Sequence, residues 1–350
     1  MKEHPALLNR SMQPIFTPDQ PCEKDVRITP VAAFVDEASD DLLLYYFMRG
    51  RRDPLDNALC LARSHDGVTW TKPDFGLGDN IVMRSCGNSN TWGEFYPSSI
   101  IRDDRESDAA QRWKMIYWDR PALKLPSGIC LATSADGIQW NRLHSHPVIT
   151  GANDAASLID MYPDAQTPFG KGTHMIHQQT FKYNPDLPTE RDNLTHMHRA
   201  ISVWKCETFD APWVGPIRIL EPDGEDAADL QFYWLTAFKL PGGEYGGLLN
   251  CHHTIDQTMD VQLVSSKDGW SWTRENDRDP IIPLGPRGRF DCGLVCSIAP
   301  PVVWRDRVLV FFQGRPTVHD TQARYPDEKS QPAMGIGVAE FSTDFLEFKS

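Results

Sequence analysis

Three segments of the chain spell Ser-x-Asp-Gly-x-x-Trp: SHDGVTW (64–70), SADGIQW (134–140) and SKDGWSW (266–272). Self-similarity at a fixed period decides an architecture before any local reading does. Ser64 and Ser134 stand 70 residues apart, and Ser266 follows 132 residues later, close to twice that distance. Weaker copies fit the gaps. AISVWKCETFDAPW supplies Ser202 with Trp213 behind it, and STDFLEF supplies Ser342, Asp344 and Phe348. The five serines are then 70, 68, 64 and 76 residues apart, so five units of similar length fill the 350 residues.

Each unit has the same anatomy. An alternating segment precedes the serine, as in ALCLARS, GICLATS and DVQLVSS. Before it lies an aromatic-rich apolar run: DLLLYYFMRG, RWKMIYWDR, GGEYGGLLNCHH or RVLVFFQGR. Earlier still comes an apolar segment containing or ending at proline: ITPVAAFV, YPSSIIR, DMYP or SIAPPVVW. Short apolar runs bounded by turn residues, with helical periodicity nearly absent, predict an all-β array. Asp-Gly marks a tight turn, because glycine accepts positive φ and aspartate bonds its own backbone. The tryptophan then returns as a large anchor between sheets. The motif therefore reads as a hairpin staple. Four strands in each of five units predict a five-bladed β-propeller of four-stranded antiparallel blades, since radial repetition leaves only short, protected edges. The chain is expected to form one domain over 1–350, with blades near 24–80, 81–150, 151–222, 223–285 and 286–350.

Composition removes several function classes. With 48 acidic and 35 basic side chains the net charge is −13, and no basic stripe is present, so nucleic acid is not an expected partner. No run approaches the roughly 18–20 apolar residues of a membrane helix. The opening MKEHPALLNRSMQPIF lacks an apolar core of secretory length, so a cytoplasmic location is expected. Eight cysteines are too sparse for a disulfide scaffold, and Cys60 and Cys130 sit in apolar runs as buried thiols. Cys292 and Cys296 have no second pair and no nearby histidine, which argues against zinc.

The segments GNSNTWGEFYP (87–97), HRAISVW (198–204) and the run 221–290, with EDAADLQFYW, MDVQLVSSKDGWSWTR and DPIIPLGPRGRFD, carry a likeness. Together with the repeat, they make the chain resemble the furanosidase-type propeller glycoside hydrolases, invertase-like and arabinanase/xylosidase-like. The likeness is greatest to uncharacterised relatives of the invertase-family N-terminal domain. It implies the fold and a sugar-handling role. It carries over no catalytic set, because the Asn-Asp-Pro-Asn-Gly and Glu-Cys signatures of invertase-like enzymes are absent and Thr29 precedes Pro30 where such enzymes often place aspartate.

Candidate chemistry comes from the start of each first strand, which in a propeller faces a central funnel. Aligning units on the strand proline puts Arg27 three residues before Pro30, Glu94 three before Pro97 and Asp160 three before Pro163. The fourth unit offers Glu225, Asp226 and Asp229 ahead of LQFYW, and the fifth offers Asp291. Glycosidic cleavage needs one carboxylic acid to protonate the leaving oxygen and one carboxylate as base or nucleophile. Crowded carboxylates supply the necessary difference in pKa. Glu94, Asp160 and Asp229 are the expected catalytic residues, with Asp226 and Asp291 in reserve.

Arg27, Trp92, His177, Arg199, Tyr233, His253 and Asp291 are the expected substrate contacts. No metal site is expected, because neighbours such as His252 and His253 on a strand face opposite sides. No cofactor is expected, with a structural or pocket calcium ion left open. The long polar insertion 182–197 reads as a solvated loop or as a lid or subunit contact. The expected activity is hydrolysis of a terminal sugar, a furanoside or a related one, from a small carbohydrate. A non-catalytic carbohydrate-binding propeller and a glycoside phosphorylase using Arg27, Arg199 and Arg315 are the alternatives. Oligomeric state is open.

Overall fold

The computed structural model describes residues 6–24, 26–50, 56–85, 94–120, 126–163, 170, 172–327 and 332–347. Strand follows strand, and the helical pieces among the described residues are short 3-10 turns such as Pro21–Glu23 and Thr343–Leu346. None is long and apolar enough to cross a membrane. The first sheet holds Val26–Val35, Leu42–Gly50, Ala58–Ser64 and Ile81–Arg84 in chain order, each antiparallel to the one before. The second holds Tyr96–Arg102, Trp113–Asp119 and Gly128–Ser134, with Ile149–Thr150 and Trp140–Arg142 both pairing the third of these. Ala156–Asp160, His174–Tyr183, Met197–Cys206 and Val214–Leu220 form the third sheet.

The remaining strands join in one nine-stranded sheet, which divides into two antiparallel arrays linked by a single parallel bridge, Met259 to Leu294. One array holds Leu230–Lys239, Tyr245–His253, Thr258–Ser266 and Trp272–Arg274. The other holds Leu294–Cys296, Arg307–Arg315 and Gly335–Phe341, with Val302–Trp304 beside the second of these. Leu7–Arg10, from the opposite end of the chain, pairs with Gly335–Phe341.

Strands such as Leu42–Gly50 are apolar on both faces because both faces are covered. Tyr45 and Phe47 pack with Ile100, Trp113 and Tyr117 of the second sheet. Leu44 and Tyr46 point the other way, onto Leu309, Phe311 and Ile336 of the last array. Ile116 and Leu131 meet Leu158 and Ile176 between the second and third sheets. Ile159 and Met175 meet Ala237 and Tyr245 between the third and fourth. Leu248 and Leu263 meet Val308 and Val310 between the fourth and fifth. Each array is thus packed between its neighbours in chain order, and the last packs on the first.

The three motif turns have one geometry. Ser134 Oγ bonds Asp136 Oδ1 at 3.0 Å and accepts the Gly137 N–H at 2.9 Å, while Asp136 Oδ1 accepts the N–H groups of Ile138 and Gln139, both at 2.8 Å. The turns at Ser64 and Ser266 repeat this set. Each turn docks on the preceding array: Tyr45 Oη donates to the Gly137 carbonyl at 3.1 Å, His177 meets the Gly269 carbonyl at 3.0 Å, and Trp70 stands edge-on to Phe311 at 5.9 Å. The copy expected near 200 differs. Ser202 lies within a strand and bonds Thr180, and the chain turns only at 208–211, before the buried Trp213. Phe348, expected in the last copy, is outside the described residues.

Gly137 has φ of 75°, and a Cβ there would collide with the Tyr45 hydroxyl and crowd Trp113. Gly137→Ala is therefore expected to cost about 2–4 kcal/mol, summing left-handed strain and overpacking. Gly76 has φ of 94° with open space around it, so Gly76→Ala is expected to cost only about 1–2 kcal/mol. Denaturant midpoints of the two variants measure the difference; equal losses would mean the interlocked turn adds nothing beyond its own backbone.

Candidate active site

A cavity of about 630 Å³ opens near the starts of the first strands of the arrays formed by the described residues. That volume suits a small organic ligand. Arg27 and Thr29 come from the first array, Tyr96 and Ser98 from the second, Asp154 from just ahead of Ala156–Asp160, Tyr233 from the fourth, and Leu294 and Cys296 from the fifth. A smaller cavity of about 360 Å³ shares Arg49, Tyr96, Asn153 and Asp154 and adds Glu94.

Glu94 and Asp154 each sit two residues ahead of a first strand, Tyr96–Arg102 and Ala156–Asp160. Their backbones are tied across sheets. Asn57 donates to the Glu94 carbonyl, and Ser98 Oγ donates to the Asp154 carbonyl at 2.9 Å. Phe95, fully buried beside Glu94, is held at a φ of 37°, a left-handed conformation unfavourable for a bulky residue. Asp119 secures that bend by accepting the Phe95 N–H at 3.1 Å.

Burial pushes the Glu94 carboxyl above its ordinary value; a hydrogen bond from Tyr96 and the charges of Arg49 and Arg120 oppose the shift, and the charge of Asp154 adds to it. Burial raises Asp154 as well, opposed by Arg49 and Arg199. Asp154 is half-buried and opens onto the cavity. Burial thus shifts both carboxyls toward their protonated forms, and the Asp154 charge adds a smaller push to Glu94.

The rest of the wall is a network of charges. Arg199, almost fully buried, forks onto Asp192 and also reaches Gln231 Oε1 at 2.7 Å and Asn193 Oδ1 at 3.0 Å. Arg191 reaches Asp320 at 2.8 Å. Tyr233 lies under Arg199, with its hydroxyl 3.2 Å from His319. The insertion between Tyr183 and Met197 therefore places Arg191, Asp192 and Asn193 in the cavity wall, and Pro188 is tied to Thr254 at 2.7 Å. Among the described residues, Asp192, His252 and His319 bring three possible ligand atoms within 4.8 Å of one another. That donor set suits a divalent cation with nitrogen and oxygen preference. Neither buried ring nitrogen of His252 has a well-formed hydrogen bond, and burial with the nearby charges of His319, Arg199 and His253 holds the ring well below the ordinary imidazole range, opposed only weakly by Gln257.

Of the residues expected from sequence, Glu94, Arg27, Arg199 and Tyr233 line these cavities. Trp92 lies outside the described residues. The others are placed elsewhere, each with local work to do. Asp160 ends its strand and pairs with Lys239 and with Arg105, the latter at 3.0 Å. Asp229 accepts the Ile255 N–H of a neighbouring turn at 3.4 Å. Asp226 pairs with Arg274 and Arg278. Asp291 is sealed beneath Arg10 and Arg289. His177, pushed down to about 4 by burial, is wedged against Trp272 at 5.4 Å, and His253 pairs with Asp260 at 2.9 Å.

The displacement of Asp160 has a simple cause. Pro30 and Pro97 lie inside their first strands, whereas Pro163 follows the end of Ala156–Asp160, so aligning on proline selects the wrong end of the strand. Aligned on strand starts, Asn153-Asp154 ahead of AASLID matches Glu94 ahead of YPSSIIR. Asp192, His319 and Asp320 come from loops and carry no such signal.

No family model and no curated protein matches the sequence. The fold, by contrast, is shared with solved structures. The chain is similar to BT0996 in its complex with RGII (TM-score 0.62, 14% identity, 95% of this chain and 92% of that one). It is similar to an N-acetylgalactosamine deacetylase from F. plautii in complex with blood group B trisaccharide (0.60, 14%, 96% of each). It is also similar to an endo-arabinase from Bacteroides thetaiotaomicron (0.53, 12%, 93% and 96%). At such identities the likeness shows the fold alone.

Proposed function

We propose that the chain is a five-bladed β-propeller glycoside hydrolase that cleaves a glycosidic bond in the cavity at its centre. The ring is inferred from each array packing on the next and the last on the first. The observation that carries the chemistry is the pair Glu94 and Asp154, from adjacent arrays, in one cavity with their ionisation coupled. Glu94, the carboxyl that Asp154 helps to keep protonated, donates to the leaving oxygen. Asp154, flanked by Arg49 and Arg199, is the base or nucleophile. Arg199 and Tyr233 shape the sugar-binding wall. The named glycoside hydrolases among the structural neighbours favour this reading. A panel of neutral and acidic glycosides with poor leaving groups, such as methyl and unsubstituted phenyl glycosides, tests it: release of the leaving group by the wild type and its loss in Glu94→Gln is the expected result, and equal turnover by both would remove the assignment.

The pH profile adds a second check. Arg49 favours the ionised forms of both carboxyls, so removing its charge raises both. Asp154 must then lose its proton at higher pH, and Glu94 keeps its own to higher pH. Arg49→Gln is expected to move both limbs of the kcat/KM profile in the alkaline direction. An unmoved profile would separate Arg49 from the pair.

One observation favours a second reading. The Asp192, His252 and His319 cluster is able to hold a cation that activates water, which would suit removal of an acyl group from an amino sugar. The deacetylase among the neighbours points the same way. Against it, both Asp192 oxygens already accept from Arg199, whose charge opposes a cation. Acetate release from N-acetylhexosamine glycosides that depends on added zinc or manganese and is lost in His252→Ala would favour it over glycosidic cleavage.

A further inference from the structure

More arginines than carboxylates line the larger cavity. Arg27, Arg49, Arg191, Arg199 and Arg315 line the larger cavity against Asp154, Asp192 and Asp320. Arg199 is matched by Asp192 and Arg191 by Asp320. Arg49 lies close enough to Glu94 and Asp154 to favour their charged forms. Arg315 is different. It is 6% exposed, and among the described residues no carboxylate lies within ion-pair distance of it. Its Nε is buried without a hydrogen-bond partner, and an Nη reaches only the Val318 carbonyl, at 3.4 Å. An ionised side chain buried in this way is costly unless a counter-charge arrives.

Its surroundings make the cost larger. Arg27 and Arg49 stand directly opposite each other across the first two strands, so both side chains leave the same face, into the cavity. Arg27 in turn repels the Arg315 guanidinium, which burial and that repulsion push down to about 10; it therefore keeps its charge at neutral pH. The two arrays are clamped together at this point. Gln313 Nε2 donates to the Ile28 carbonyl at 2.8 Å and to Thr29 Oγ1 at 2.6 Å. A buried arginine without a counter-charge and with a second arginine repelling it is unfavourable. The arrangement becomes favourable when a planar oxyanion lies against Arg315, because a guanidinium matches carboxylate and phosphate oxygens two at a time. In a protein of net charge −13, this positive hollow also concentrates anions against the overall field.

We infer that the Arg27 and Arg315 side of the cavity is an oxyanion subsite, taking either the carboxylate of an acidic sugar or a free phosphate. With a carboxylate occupant, and resting on the glycosidase reading above, the substrate is an acidic glycoside: its charged group sits on Arg315 and its scissile bond lies toward Glu94 and Asp154. Anion binding itself does not depend on that reading. It is measured without turnover, so a catalytically inactive protein still tests it.

The experiment is calorimetric titration of the full-length protein with D-glucuronate, D-galacturonate, the neutral sugars D-glucose and D-galactose, and inorganic phosphate, repeated on Arg315→Met and Arg315→Lys. The expected result is binding of a uronate, or of phosphate, about tenfold or more tighter than the neutral sugars, lost in Arg315→Met and weakened in Arg315→Lys, which keeps the charge without the fork. Uronate binding assigns the site to the substrate's own carboxylate; phosphate binding without uronate preference assigns it to a free anion. A companion readout separates this role from a structural one. Without ligand, Arg315→Met removes an uncompensated charge and is expected to melt about 2 °C or more above the wild type. Anion affinity unchanged in both variants, no preference of the wild type for any of the anions, or an Arg315→Met protein that melts lower or fails to fold would overturn the inference.

Discussion

Asp154→Asn and Glu94→Gln are each expected to lower kcat about 10²–10⁴-fold on the best glycoside substrate, with the fold and cavity intact. The magnitude follows from what each group supplies. An amide keeps the shape and hydrogen-bonding reach of the carboxyl but can neither donate a proton to the leaving oxygen nor attack or deprotonate in its own right. The two variants also differ in kind. Glu94→Gln is expected to spare substrates whose leaving group needs no proton, such as dinitrophenyl glycosides, whereas Asp154→Asn slows all of them. Asp160→Asn and Asp229→Asn serve as comparisons: their carboxylates satisfy Arg105, Lys239 and a turn N–H away from the cavity, so turnover is expected to change by less than about threefold. Loss of activity in the latter pair alone would transfer the chemistry to them.

Arg199→Met is expected to have the largest effect on stability. The guanidinium and the Asp192 carboxylate are 1% and 0% exposed, so removing the cation leaves a carboxylate buried without its counter-charge. Breaking a buried pair in this way costs about 3–5 kcal/mol. The insertion carrying Asp192 loses its anchor at the same time, and Arg191 and Asn193 leave the cavity wall with it. Denaturant unfolding measures the loss, and the double variant Arg199→Met with Asp192→Leu is expected to recover much of it, because apolar replacement of both partners leaves no orphan charge. A loss below about 1 kcal/mol in the single variant would show that water reaches Asp192 and screens it.

What is legible in the sequence and what is not follow from the range of the forces involved. The motif turns are legible because Ser134, Asp136 and Gly137 act within four residues of one another, and the same local bonds recur at Ser64 and Ser266. Strands such as Leu42–Gly50 are legible as apolar runs between turn residues. Glu94 stands out because its strand proline marks the strand start. Asp160 stands in for Asp154 because the corresponding proline falls beyond the strand end, a difference of six residues that no local rule exposes. Asp192 and Asp320 have no signal at all. Each lies in a loop, and each acquires its position from an arginine: Arg199 from the next strand and Arg191 from a distant loop. His177 looks available for a ligand and is instead a neutral wedge between two arrays, because packing against Trp272 and Gly269 is decided by partners about ninety residues away.

The coupling between Glu94 and Asp154 is the claim on which the chemistry rests, and carbon-detected NMR of carboxyl-labelled glutamate reads it directly. In the wild type the Glu94 signal is expected to titrate above its ordinary value, chiefly because of burial, and in Asp154→Asn, with the neighbouring negative charge gone, at a lower pH than in the wild type. A Glu94 that titrates at its ordinary value, or identically in both proteins, would contradict the assignment of one shared acid and base.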